Sequence, residues 1–359
     1  MKLSAFVCAL LVAASGSRAW GDDAFIAKTQ VYTDSDHTTV VSPLVAIKRD
    51  VWKGGTITSS YVADVVSSAS IDVVSNATTR MHDFRSEITG GLTQKLADTT
   101  VSGTYIYSIE HDYSSNNISL SVAQDLLQRN TTLALGYNLS LNNVYRTGDA
   151  SFHRTLDVHS VDAAWTQVIS PRTVAQLSYT LGINSGYQAS PYRFVRVQTD
   201  DLSSVAFKVP ESDPNLRVRH AVVAAINRHV GADSSIQADY RLYFDSWGIS
   251  AHTLQVRQFI NFGDFTLRLR ERFYYQTAAS FYQENYTVDS LSNYVTVDRE
   301  LSTFWSVIGG AKLSWRVPWS GLALAFEIKL DAFYFHYIDF ALLPSRTGAN
   351  IEAGISLLY

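Results

Sequence analysis

Beyond residue 24, apolar side chains recur at every second position almost everywhere, and no stretch repeats them convincingly at the 3.6-residue period of a helix. A period of two is the geometry of a strand with unlike faces. About sixteen such segments can be counted, with fourteen as the alternative. They are 25–33, 38–50, 55–66, 83–95, 98–110, 116–127, 131–143, 154–168, 172–184, 215–229, 234–245, 250–261, 264–276, 301–315, 321–335 and 347–359. Each has the roughly 9–11 residues that cross a bilayer at a tilt.

Single strands show the contrast of faces. Thr132, Ala134, Gly136, Asn138 and Ser140 alternate with Leu133, Leu135, Tyr137, Leu139 and Leu141. From Gly321, an apolar set (Leu322, Leu324, Phe326, Ile328, Leu330, Ala332, Tyr334) alternates with one that includes Glu327, Lys329 and Asp331. A soluble sandwich would also alternate, so the pattern alone is ambiguous. The last strand argues for closure: Ile351, Ala353, Ile355, Leu357 and the terminal Tyr359 share one face. This resembles the assembly signal that ends bacterial outer-membrane barrels, and such a strand is a poor free edge.

Loop lengths give an independent test, because bacterial barrels alternate short periplasmic turns with longer external loops. Counting back from Tyr359, the joins Trp52–Gly54, Leu96–Ala97, Gln128–Asn130, Ser170–Pro171, Val230–Asp233, Phe262–Gly263 and Pro318–Ser320 fall on the periplasmic side, and all are tight. The other side holds every long connection: Val66–His82, Val144–His153, Asn184–Pro214, Thr277–Glu300 and His336–Arg346. Two short joins, Asp34–His37 and Ser246–Ile249, also fall there. Tryptophans follow the same geometry: Trp52, Trp165, Trp315 and Trp319 beside periplasmic turns, Trp247 beside an external one and Trp305 near an external strand end. This is the placement of an interfacial aromatic belt.

The amino terminus supports export. Lys2, an apolar run from Leu3 to Ala14, and Ser17-Arg18-Ala19 read as a secretory signal cleaved after Ala19, leaving residues 20–359 as one barrel domain. The run is too short to span a membrane, and no later stretch reaches the roughly 18 apolar residues of a spanning helix. Cys8 is the only cysteine and lies inside this run, so the mature chain has no disulfide, thiolate or zinc–cysteine chemistry. Charged residues make up 17% of the chain, while Tyr (20), Phe (17) and Trp (7) are abundant. A net charge of -4 without basic clusters gives no reason to expect nucleic acid.

In a barrel, lipid forbids charge outside at roughly 2–4 kcal/mol per mid-depth Arg or Lys, so strand charges belong in the lumen. Arg217, Arg219, Asp239, Arg241, Arg257, Arg268, Arg270 and Arg272 fall on the inward faces of four successive strands and form a basic ladder. Acidic groups lie elsewhere: Glu87 beside Arg85, Glu110, Asp125, Glu327 and Asp331 around Lys329, and Glu352. Opposed walls would set a transverse field for hydrated polar solutes, or the charges pair between neighbouring strands and only hold the wall together. Glu271 falls outward between Leu269 and Phe273, a misfit that a β-bulge or a register slip would remove. With no plug ahead of the first strand, constriction is expected from Asn184–Pro214 (Tyr187, Tyr192, Arg193, Phe194, Arg196) and Thr277–Glu300 (Tyr282, Tyr286, Tyr294).

Catalytic, cofactor and metal sites are not expected. The histidines His37, His82, His111, His153, His159, His220, His229, His252 and His336 show no ligand spacing. Glu110, His111 and Asp112, or Asp34, Asp36 and His37, have the donors for a divalent cation, but Asp and Ser are also what tight turns use. No Gly-x-Ser-x-Gly elbow is present. The sequons at Asn76, Asn117, Asn130, Asn138 and Asn285 are expected by chance, and Asn138 would face the lumen.

Tyr61-Val-Ala-Asp64 running into Ser67–Thr78, Ser108-Ile-Glu110-His-Asp112-Tyr113-Ser-Ser115, Tyr32-Thr-Asp34-Ser-Asp36 and Val41-Ser-Pro43 resemble the Gram-negative barrel family catalogued as domain of unknown function 3570. The resemblance implies an outer-membrane location without an assigned activity. It points to the Asp72 loop and the Glu110–Ser115 turn for any family-specific role. The sequence therefore predicts an all-β, antiparallel transmembrane barrel, not an enzyme, surrounded by outer-membrane lipid and inserted by the barrel-assembly machinery. Porin-like passage of small hydrophilic solutes is the expected function. A closed or loop-plugged barrel serving as a scaffold or partner sheath is the alternative, and an outer-membrane enzyme the more distant one.

Overall fold

A computed structural model describes residues 23–68, 81–199, 204–319 and 322–359. In chain order its strands are β1 (Ala24–Asp34), β2 (Thr38–Trp52), β3 (Gly55–Ser68), β4 (Met81–Leu96), β5 (Thr99–Ile109), β6 (Tyr113–Leu126), β7 (Thr131–Tyr145), β8 (His153–Ser170), β9 (Thr173–Gly186), β10 (Phe194–Gln198), β11 (Val205–Pro210), β12 (Leu216–Val230), β13 (Ser234–Asp245), β14 (Ser250–Phe262), β15 (Phe265–Gln276), β16 (Tyr286–Thr287), β17 (Phe304–Trp319), β18 (Leu322–Tyr337) and β19 (Ser345–Leu358). Sixteen of them form one closed antiparallel barrel, each beside its neighbours in sequence, while β11, β10 and β16 make a separate small sheet. The terminal strand closes the ring: β19 pairs with β1 from Ala24↔Leu358 to Asp34↔Gly348. No edge is left, which satisfies every backbone group that lipid could not.

The predicted faces are the observed ones. On β7, Leu133, Leu135, Tyr137 and Leu141 are exposed on the outside, as are Phe326, Ile328 and Leu330 on β18 and Ile351, Ile355 and Tyr359 at the end of the chain. Large apolar residues left exposed on every wall mean that the molecule carries its oily surface outward. One rim is made of tight turns, and the other holds every long loop together with the short joins 35–37, 110–112 and 246–249. At the turn rim Gly54 has φ +73°, and a Cβ there would stand 2.5 Å from Lys95 O, so glycine is required. Aromatic rings stack around that rim: Phe262 on Phe265, Phe265 on Trp315, and Trp315 on Phe326.

On the outer face, about midway along their strands, five tyrosines share one geometry that the sequence did not disclose. Each hydroxyl meets a polar atom on the next strand: Tyr61 with Ser86 Oγ (3.1 Å), Tyr105 with Asn116 Oδ1 (2.7 Å), Tyr137 with His159 Nδ1 (2.8 Å), Tyr179 with His220 Nδ1 (2.8 Å) and Tyr240 with His252 Nδ1 (2.6 Å). The pairs are diagonal cross-strand neighbours, visible only once the register is known. The partner satisfies a hydroxyl on an otherwise apolar face, which lipid could not do.

The expectations for Glu110 and Trp247 need correction. Glu110 lies in the turn after β5, not on a wall. Trp247 is not part of a belt, being 3% exposed inside a loop core. Glu271 faces outward as its parity predicts, since β15 pairs without a register shift to both neighbours and no bulge turns it inward. The two longest loops, from which constriction is expected, carry β10, β11 and β16. The signal segment, the Asp72 loop and part of the Pro318–Ser320 turn lie outside the described residues.

Candidate functional site

The fourteen charges expected in the lumen, from Arg85 and Glu87 to Glu352, all point inward, opposite in parity to the exposed apolar residues of their strands. The interior is not packed solid. Wall side chains retain contact with open space, for example Arg85 at 32%, Arg257 at 28% and Lys28 at 27% exposure. Arg241 is exposed although it faces inward. Small residues (Ser119, Ser121, Gly136 and Ser160) line the β6–β8 wall and leave the space unfilled.

Charge is distributed unevenly. Across β1 and β17–β19 lysines and acids interleave: Lys28 and Lys312 both hold Glu327 at 2.6 Å, and Lys329 lies 3.5 Å from Asp331 and from Glu352. That wall is balanced, so the acids there do not form the separate acidic face expected from sequence. On β3 and β4 one cation, Arg85, serves Asp64 and Glu87 and lies 3.8 Å from Glu110. Asp162 on β8 accepts hydrogen bonds from Asn138 and Thr180, and among the described residues no cation lies within ion-pair distance of it. On β12–β15 arginine is in excess: Arg217 pairs with Asp245 at 2.5 Å, Arg257 with Asp239 at 2.8 Å and Arg270 with Asp331 at 3.3 Å. Arg219, Arg241, Arg268 and Arg272 have no carboxylate within 4.0 Å among the described residues.

The loop rim is roofed. The loop after β9 supplies β10 and β11, and the loop after β15 supplies β16, which pairs with β10 through Val197↔Tyr286. Val195, Tyr286 and Val295 form the lid's core, and a second cluster joins Trp247, Ile249, Ala279, Tyr282 and Leu301. The lid is tied to turns spread around the ring. Arg299 binds Asp36 in the β1–β2 turn, and Tyr192 donates to Asp112 Oδ2 at 2.6 Å in the β5–β6 turn. Tyr192 also meets Thr147 Oγ1 at 3.0 Å after β7, and Tyr282 donates to Asp339 O at 2.6 Å after β18. A body fixed at such separated points spans the mouth. Beneath it Arg217 stacks on the Trp247 ring at 4.2 Å.

Inside the lid, Arg193 holds Glu211 at 3.1 Å and Asp298 at 2.8 Å, and Glu211 also accepts from Thr296. Asp213 lies close by with Oδ1 unpartnered. Burial, reinforced by Glu211 and Asp298, pushes its carboxyl up to about 8. Burial and the hydrogen bond to Asp112 raise the Tyr192 hydroxyl.

Of the cation candidates, Glu110 and Asp112 do meet, together with Asp83: their oxygens lie within 4.8 Å of one another. Arg85 and Tyr192 already engage two of the three. Asp34 is occupied by its own turn, accepting from the backbone N–H groups of Asp36 and Thr38 and from the Tyr32 hydroxyl.

An edgeless ring with apolar residues outside, charged side chains partly exposed inside, and a roof of loops over one mouth defines a transmembrane β-barrel. The chain belongs to the family described as "Protein of unknown function (DUF3570)", whose profile matches residues 74–333. No curated protein matches it. Among solved structures it is similar to a bacterial polysaccharide outer membrane secretin (7% identity, TM-score 0.54, covering 95% of this chain and 100% of that one), a likeness of fold alone. OccK5 (OpdH) of Pseudomonas aeruginosa also matches (8% identity, TM-score 0.44, 94% of this chain and 98% of that one). So does the siderophore receptor PirA of the same organism (11% identity, TM-score 0.43), with 87% of this chain covering 55% of that longer one.

Proposed function

We propose that the protein is a porin-like channel of the bacterial outer membrane that passes small hydrophilic solutes. The chain would be exported by its signal segment and inserted by the barrel-assembly machinery, with the terminal β19 face of Ile351, Ala353, Ile355, Leu357 and Tyr359 as the assembly signal. Lipid would surround the apolar band, with the turn rim in the periplasm and the lid outside. One observation carries the reading: the wall charges stay partly exposed inside a closed ring, so the ring encloses water. Planar-bilayer recording of the purified protein tests it. Stable single-channel steps are expected, and a silent bilayer overturns it.

A second reading, a loop-plugged barrel acting as a scaffold, is favoured by the lid's ties to turns around the whole mouth. Removing residues 190–211 separates the two. A channel narrowed by the lid conducts before the deletion and conducts more after it, whereas a plugged barrel conducts only after it.

A further inference from the structure

The basic wall of β12–β15 holds more cation than its neighbours neutralise. Three of its seven arginines are consumed by Asp245, Asp239 and Asp331. Arg219, Arg241, Arg268 and Arg272 are not. Among the described residues Arg268 and Arg272 in addition bury Nε without an acceptor, as does the paired Arg257. A buried guanidinium N–H without a partner is costly, and a wall that needed its charges only for cohesion would have supplied carboxylates, as the β17–β19 wall does.

These four side chains form a series along the pore. In register Arg268 faces Phe259 and Arg272 faces Gln255, Arg241 faces Thr253, and Arg219 faces Asp245 directly above Arg241. The steps are ~7–13 Å along the strands, rising from the turn-rim half to just beneath the lid. Arg241 and Arg272 each lie 5.9 Å from the ring of a tyrosine on the same strand, Tyr243 and Tyr274. Across the lumen, eight places round the ring from β14, stands β4, where Arg85 alone balances Asp64 and Glu87. An anion is therefore attracted by one wall and repelled by the other.

We propose that Arg268, Arg272, Arg241 and Arg219 form a binding track for small oxyanions, solutes carrying carboxylate or phosphate groups. Each guanidinium offers a planar fork that fits such groups in two-point contact, and spaced weak sites allow entry without trapping. This rests on the channel reading above and specifies its solute class.

The test is the reversal potential of the full-length protein in planar bilayers under a potassium chloride gradient, followed by addition of citrate. Chloride preference is expected, with transient citrate block. In the R268Q/R272Q variant, shown to be folded by its heat-dependent gel mobility, the chloride-to-potassium permeability ratio should fall by about two-fold or more. A current that is non-selective or potassium-selective in the wild type overturns the oxyanion track but leaves the channel standing. So does a ratio unchanged in the variant. No current at all overturns both.

Discussion

Arg270 reaches Asp331 at 3.3 Å across an intervening strand because the residue between them is Gly310. Arg270, Gly310 and Asp331 lie side by side on β15, β17 and β18, and the pair spans two interstrand spacings, ~10 Å between backbones. A Cβ on residue 310 would stand 1.9 Å from Asp331 Oδ1.

Gly310→Ala should therefore displace Asp331 and leave Arg270 without its acid. A stability loss of roughly 1–3 kcal/mol is expected, the scale of a charged hydrogen bond in a partly sheltered site. Gly309→Ala is the matched control, since a Cβ there meets nothing within 4 Å. Urea unfolding of both variants in lipid vesicles decides the matter: equal stabilities would remove the role given to Gly310.

Neighbouring residues on β19 test which side faces lipid. Ile351 points out and Asn350 points in beside Asp331. Ile351→Lys should cost roughly 2–4 kcal/mol and lose the heat-resistant gel form, because lysine at mid-depth enters hydrocarbon. Asn350→Lys should stay within about 1 kcal/mol of the parent, as a lumen substitution gaining an acidic neighbour. Equal effects would contradict a lipid-facing wall.

Much of this wall was legible in the sequence, because lipid outside and water inside impose a strict period of two on every strand. Inward parity of Arg268, Arg270 and Arg272 follows from their spacing alone. Which arginines are paired does not, since Arg270 finds its acid on β18 and Arg257 on β13. The register needed for that is set by turns and hydrogen bonds rather than by side-chain pattern. The lid was legible only as two long aromatic loops. Val197↔Tyr286 joins segments far apart in the chain, and Trp247 is buried against Ala279, Tyr282 and Leu301 of the loop after β15, further on in the chain. Glu271 was read correctly from parity, and the doubt about it came from expecting charge to be excluded from the outside.

The lid should loosen as pH rises. The Asp213 carboxyl titrates near 8 when buried and in the ordinary carboxylate range when the lid opens. Between those values the closed form binds the extra proton, so closure is fully favoured below the window and weakens steadily up to about 8. Glu211 and Asp298 oppose its ionisation, while Arg193 and Arg217 only partly offset them. Hydrogen exchange in Val195 and Val197 should accelerate across this interval. Asp213→Asn, neutral throughout, should flatten the dependence, and an unchanged slope would assign it to another group.

Glu271 is an outward carboxylate set within the apolar band on β15, flanked by Leu269 and Phe273, with Val256 and Gly309 beside it. Phe265, below it, belongs to the stacked turn-rim aromatics, and Tyr275, above it, lies level with Trp305. It thus sits ~15 Å up a band ~25 Å tall, near the middle. Among the described residues no hydrogen bond or ion pair engages it. A carboxylate there is a cost that Glu271→Leu should relieve, raising stability by about 1–2 kcal/mol, since Asp and Glu on a lipid face cost less than Lys or Arg. The open notch at Gly309 gives a leucine room without a clash. Vesicle unfolding of the variant reads the outcome at one site. A gain means that lipid contacts Glu271 directly, whereas a loss means that a donor from outside this chain meets it within the membrane.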